Sequence, residues 1–191
     1  MTRIAVVGDS ISAGSPLWDP DPEVRARIEA PDERSQWQWW AAQANPSFEF
    51  HTSAVYGERT DQIAQRLDGV LAGADVLVVQ GGINDIAQQH SIFVAVDNLT
   101  AMVERGLDAG LAVAVPDVLP WPRGNGRAVS EIEELNELLL RPIIRALDGV
   151  TLLPFHDTLA HAGFDWSDDG DHPSVEGYRL LGECAASLLA R

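Results

Sequence analysis

Lysine is absent from this 191-residue chain, and all 13 of its basic residues are arginine. That absence removes the lysine that grips phosphate in a P-loop and any lysine that would form a Schiff base. Cysteine is nearly absent. The one thiol, Cys184, cannot make an intramolecular disulfide, and its place in an apolar helical pattern over residues 180–189 marks it as a small core residue. Positive charge is scarce: 29 acidic residues leave a formal net charge of −16. Nucleic-acid backbones and anionic membrane surfaces would repel such a chain, so neither is expected as a partner. No apolar run is long enough to span a bilayer, and no charged-then-apolar leader opens the chain. It is therefore expected in the cytoplasm, although a leader already removed would leave the same sequence. Internal repeats, low-complexity tracts and linkers are lacking too. With 46% hydrophobic and 22% charged residues, the chain suits one globular domain, residues 1–191, with a buried core.

What is present is a regular alternation. Apolar, β-branched runs at residues 4–7, 48–52, 76–80, 111–115 and 150–153 predict five strands. Helical patterns lie between them. Residues 36–44 form one. Thr60 is placed to cap a helix with Ile63, Leu67, Val70 and Leu71 on one face. Phe93, Val96, Leu99, Val103 and Leu107 make a stripe that stops at Gly110. Ser130 with Glu133 reads as a capping box ahead of Leu135, Leu138 and Leu139, and Pro142 should kink or divide that helix. A last helix runs from about Ser174 to the C-terminus. This order predicts an α/β fold: a central parallel sheet of about five strands, with helices on both faces in a three-layer α/β/α sandwich. The long polar stretch 19–34, with a short helix through residues 24–28, reads as an insertion over one end of the sheet.

In such a sheet, ligands bind beyond the carboxyl ends of the strands. Ser10 follows the first strand directly. Gly57 follows the second, Gly82-Ile83-Asn84-Asp85 the third, and Trp121-Pro122-Arg123-Gly124 the fourth. Asp169 and His172 follow the fifth. The residues with chemistry to offer therefore converge on one rim. A serine hydroxyl is a weak nucleophile until a base removes its proton, and neutral imidazole is such a base near pH 7. Asp169 lies three residues before His172, close enough to orient the ring and stabilise its charged form. Candidate donors for a developing oxyanion are the Ser10 and Gly57 backbone N–H groups and the Asn84 side-chain amide. Gly57 would allow close backbone approach.

Four blocks in this order resemble the SGNH hydrolases, also called the GDSL esterase/lipase family. They are Gly8-Asp9-Ser10, Gly57 within Ser53-Ala54-Val55-Tyr56-Gly57, Gly82-Ile83-Asn84-Asp85, and Asp169-Gly170-Asp171-His172-Pro173. The resemblance spans nearly the whole chain. It implies a flavodoxin-like fold, Ser/His/Asp hydrolysis of a small-molecule ester through an acyl-enzyme, and no cofactor. One departure is Thr52, where the family often has asparagine five residues before the glycine.

Other readings of these residues are open. Alone, Ser10 is a turn serine and Asn84 a helix N-cap; beside the other blocks both are assigned to catalysis. Asp165, Asp168, Asp169 and Asp171 lack the D-x-D-x-D-G spacing of a calcium loop, and His156 and His161 lack a metal-ligand pattern, so no metal is expected. Asp9 and Asp85 read as carboxylates that brace turns. Trp18, Trp121, Arg123 and Trp166 sit in rim segments and are the candidates for substrate contact, with short acyl groups on polar alcohols or sugars as the preferred substrate. A nucleotide-binding turn fails because G-x-G-x-x-G is missing. The nucleophile elbow of α/β-hydrolases, G-x-S-x-G, fails because Ser12 stands where its last glycine would be. The alternatives that remain are an acyltransferase using the same acyl-enzyme and a non-catalytic ligand-binding module on the same scaffold.

Overall fold

The computed structural model describes residues 1–162 and 165–190. Its five strands are β1 (Thr2–Gly8), β2 (Phe48–Ala54), β3 (Val76–Val79), β4 (Ala112–Pro116) and β5 (Val150–Leu153). They form one parallel sheet in the order β2-β1-β3-β4-β5. This is the flavodoxin-like doubly wound order, and its switch point lies at the end of β1, where the chain first turns one way to β2 and then the other way to β3. The helices are α1 (Ser10–Ala13), α2 (Pro22–Arg25), α3 (Trp37–Ala44), α4 (Thr60–Ala64), α5 (Ile83–Ala87) and α6 (Ile92–Asp108). After β4 come α7 (Gly126–Glu134), α8 (Arg141–Ala146), α9 (Phe155–Ala160) and α10 (Val175–Leu189).

The sequence pattern explains the layers. Side chains alternate across a strand, so a strand covered on both faces needs apolar residues at every position. β3 is Val-Leu-Val-Val and is buried throughout. Ala5, Val7, Leu77, Val79, Val113 and Val115 point to one face, where α4, α6, α7 and α8 cover them. Ile4, Val6, Val76, Val78 and Ala114 point to the other, against α3, α9 and α10. β2, at an edge, carries Glu49 and His51 among its apolar residues and is only partly buried.

All five predicted strands form, but several helix details differ. α4 is capped at Arg59, and Thr60 instead donates from Oγ1 to Asp85 at 2.9 Å. The buried face of α6 runs through Ile92, Ala95, Val96, Leu99, Met102 and Val103, which leaves Phe93 about 100° round the helix and 60% exposed. α7 begins earlier than Ser130, because the Asn125 side chain accepts the Ala128 N–H at 3.0 Å. Pro142 does divide its helix. Lacking an N–H, it cannot bond the carbonyl four residues back, and residues Leu135–Leu140 widen into a π-helical turn before α8. In segment 19–34, the short helix lies at Pro22–Arg25 rather than 24–28. α10 is capped by Ser174 and ends at Leu189; the predicted extension to Arg191 lies outside the described residues.

Candidate active site

β1 is buried to its last residue, and the turn after it delivers Asp9 as the N-cap of α1 and Ser10 as its first residue. Asp9 is held by Gln80 at the end of neighbouring β3. The Asp9 N–H donates to Gln80 Oε1 at 3.1 Å, and Gln80 Nε2 donates back to Asp9 Oδ1 at 2.9 Å. The Ile11 N–H meets the same oxygen at 3.0 Å. Asp9 Oδ2 is buried and finds no partner among the described residues. Burial pushes this carboxyl up to about 6, against the hydrogen bonds from Ile11 and Gln80 and the nearby His172.

The loop between α9 and α10 brings His172 to Ser10. His172 Nε2 lies 2.9 Å from Ser10 Oγ, and its Nδ1 lies 2.7 Å from Asp169 Oδ2. An ionised carboxylate can only accept, so Nδ1 carries the proton and Nε2 is free to accept from the serine hydroxyl. Burial alone would raise Asp169. The Ser167 hydroxyl, the Asp171 N–H and both the ring and the N–H of His172 outweigh it, and hold the carboxyl at about 2. These contacts favour its charged form.

Of the oxyanion candidates, Ser10 and Asn84 line one cavity and Gly57 does not. Asn84, in the first turn of α5, donates from Nδ2 to the Glu58 carbonyl at 3.0 Å, which leaves its second amide hydrogen for the cavity it lines. It does not cap α5, whose N-cap is Gly82. Gly57 has φ +77, and a Cβ there would meet nothing within 4 Å. Glycine is needed here for the left-handed backbone. Its carbonyl accepts from Gln88 Nε2 at 2.8 Å, and the other end of that amide accepts from Arg59. Arg66 binds the loop from behind, donating to the Gly8 and Ser53 carbonyls and pairing with Glu58. No described acceptor meets the N–H of Ser10 or Gly57.

Beside these groups lies a cavity of about 180 Å³, walled by residues that include Tyr56, Asn84, Leu119, Trp121 and Phe155. Two buried side chains set its far wall. Asn136, in the π-helical turn, exchanges hydrogen bonds with the Val118 N–H and carbonyl at 2.9 and 2.7 Å. Asp117 accepts from the His156 N–H at 2.6 Å and from Arg141 at 2.7 Å. Of the four rim residues predicted for substrate contact, only Trp121 lines this cavity. Arg123 donates to the Asp169 carbonyl. Trp18 lies under the Arg25 guanidinium, 4.5 Å from its ring centroid. Trp166 bridges to Pro173. None of residues 19–34 lines the cavity. Position after a strand locates the rim but not the direction a side chain takes from it. Sequence reasoning missed Tyr56, Gln80, Arg66 and Gln88. Tyr56 alone carried a signal, as the neighbour of Gly57. Among the described residues, no three His, Cys, Asp or Glu side chains converge as a metal site requires.

Residues 6–180 match the model of the GDSL-like lipase/acylhydrolase family. Solved structures share the fold at low identity. A G-D-S-L family lipolytic protein from Desulfitobacterium hafniense DCB-2 is 18% identical, with a TM-score of 0.80 over 98% of this chain and 99% of that one. A G-D-S-L family member from Veillonella parvula DSM 2008 is also 18% identical, with a TM-score of 0.80 over all of both chains. A family 3 carbohydrate esterase from Clostridium thermocellum is 17% identical, with a TM-score of 0.75 over 99% of this chain and 95% of that one. Curated protein sequences return no match.

Proposed function

This chain belongs to the GDSL-like lipase/acylhydrolase family and is by class a carboxylic ester hydrolase, and we propose that it cleaves its ester through an acyl-enzyme on Ser10. The observation that carries the reading is the unbroken relay from Ser10 Oγ through the His172 ring to Asp169, with contacts of 2.9 and 2.7 Å. Ser10 Oγ attacks the ester carbonyl carbon while His172 Nε2 takes its proton. The imidazolium forms against the Asp169 carboxylate, which offsets its charge. The carbonyl oxygen gains negative charge beside the Ser10 and Gly57 N–H groups and the free Asn84 amide hydrogen. Collapse expels the alcohol, which leaves with the proton from His172. Water then enters, gives a proton to the ring and attacks the acyl carbon. The second collapse returns the proton to Ser10 and releases the acid.

We assign the substrate to short acyl esters of polar alcohols or sugars. The cavity of about 180 Å³ is smaller than the roughly 300–1,000 Å³ of sites for drug-sized ligands. Its walls are largely apolar, whereas the His172 side opens at the exposed Tyr56 ring, 5.8 Å away. The test is a fluorophosphonate probe with p-nitrophenyl acetate as substrate. Ser10 is the expected labelled residue, and Ser10→Ala is expected to lose turnover with an unchanged melting temperature. Labelling of Ser12 or Ser53 in its place, with Ser10→Ala still active, would overturn the assignment.

A further inference from the structure

Trp121, in the loop between β4 and α7, is held from two directions, by Asp171 and by Gly124. Its Nε1 donates to Asp171 Oδ1 at 2.8 Å. Two residues on, Arg123 donates to the Asp169 carbonyl, so the loop is fastened to the segment that carries the base. Gly124 lies against the indole: a Cβ there would stand 3.1 Å from Cε3 and 3.2 Å from Cδ2, closer than a side chain can sit without moving the ring.

The indole held in this way borders two hollows. One is the Ser10 cavity of about 180 Å³. The other is a groove of about 320 Å³ whose walls include Val129, Ile132 and His156. Pro120 and Trp121 line both, so they form the partition. We infer that Trp121 is a specificity wall: it restricts the acyl group to short chains, and its removal joins the hollows and admits longer ones. The inference rests on the reading of Ser10 as the nucleophile.

The two halves of the ester can be told apart. The leaving alcohol must take its proton from His172 Nε2, so it lies on the side of the imidazole, where Tyr56 is 66% exposed. The acyl half then points toward Ile83, Val118, Leu119 and Phe155, which are apolar and end at Trp121. The cavity of about 180 Å³ also takes in the alcohol side at Tyr56 and His172, so the acyl half has only part of it. Joined to the groove behind, it reaches the roughly 300–1,000 Å³ of sites for larger ligands.

The experiment measures kcat/KM for p-nitrophenyl acetate, butyrate, hexanoate and octanoate. The proteins are wild type, Trp121→Ala, Trp121→Phe, and Trp121→Ala combined with Val129→Trp. Wild type should favour acetate or butyrate. Trp121→Ala should raise the octanoate-to-acetate ratio by about 10-fold or more, the scale of a single methylene's fit in an apolar pocket. Trp121→Phe keeps a ring in the partition but loses the bond to Asp171, so it should keep the short-chain preference. Filling the groove with Val129→Trp should take back the gain of the alanine variant. If Trp121→Ala does not fold, Trp121→Leu gives the same readout. An unchanged ratio in a truncated variant whose Ser10 still reacts with the probe overturns the wall, as does a wild type that already prefers octanoate. A wild type that turns over none of these esters and leaves Ser10 unlabelled refutes the function itself, and the wall with it.

Discussion

Asp9→Asn isolates one buried charge next to the proposed nucleophile. The Asp9 side chain is fully buried, with Oδ1 held by Ile11 and Gln80 and Oδ2 without a partner among the described residues. Its carboxyl rises from an ordinary value of 3.8 to about 6, chiefly through loss of water. A group whose pKa is raised on folding stabilises the fold fully below its unfolded value, and that contribution is lost as pH rises through the folded one. At about 1.4 kcal/mol per pH unit, a rise from 3.8 to about 6 makes the ionised side chain cost about 3 kcal/mol at pH 8. About 2 kcal/mol of that change falls between pH 4.5 and pH 8. Asparagine keeps the acceptor for Ile11 and Gln80 and does not titrate.

The assay is urea unfolding of both proteins, followed by tryptophan fluorescence, at pH 4.5, 5.5, 6.5 and 8. The amide nitrogen of the variant lacks a partner just as Oδ2 does, so the readout is how the difference in stability changes with pH. Titrations that do not couple to Asp9 cancel between the two proteins. The variant should gain about 2 kcal/mol on wild type from pH 4.5 to pH 8, with the change centred between pH 4 and pH 6. In a domain of this size that is a shift of about 4–8 °C in relative melting temperature. A difference that stays constant over the range would refute the reasoning, because it would mean that Asp9 ionises in the fold at no cost.

Asn84→Ala should lower kcat by roughly 10²–10³-fold with little change in KM, checked by steady-state kinetics beside a urea midpoint; a large stability loss at near-normal kcat would reduce Asn84 to a brace for the Glu58 carbonyl. Asp169→Asn should drop kcat toward 10⁴-fold, because an amide facing Nδ1 favours the wrong tautomer. It should also weaken the acid dependence of stability. A carboxyl lowered to about 2 supports the fold above its ordinary 3.8 and loses that support as pH falls toward 2, a slope that acid titration of the two proteins will compare.

The strands were the most legible part of this fold, for a physical reason. A strand buried on both faces must be apolar at consecutive positions, and four-residue β3 shows this as Val-Leu-Val-Val. Helix starts were harder to read, because a cap is decided by which side chain reaches a free N–H. Ser130 and Glu133 have capping-box spacing, but Asn125 occupies the extended backbone ahead of α7 and closes on Ala128 first. Thr60 has the right side chain for a cap, and the buried carboxylate of Asp85 takes its hydroxyl instead. A local pattern offers candidates, and tertiary partners choose among them.

The same division runs through the site. Ser10 and Asn84 were legible because each follows a strand's carboxyl end in a short block, and a doubly wound sheet gathers those ends at its switch point; Asp169 and His172 share one such block, but α9 lies between it and β5. The groups that hold them in place have no local signature. Gln80 lies 71 residues from the Asp9 it clamps, and Arg66 lies 58 from the Gly8 carbonyl it binds. Glutamine at a strand end and arginine after a short helix are ordinary in any α/β chain, so neither shows its role before the fold sets its partner. Trp121 belongs to both groups. Its place after β4 put it on the rim, but its role as a partition depends on Asp171, 50 residues later, and on Gly124 beside its ring. Reactive atoms in this enzyme therefore follow from short motifs, whereas the rigidity around them, and with it the proposed limit on acyl length, follows from contacts made across the sheet.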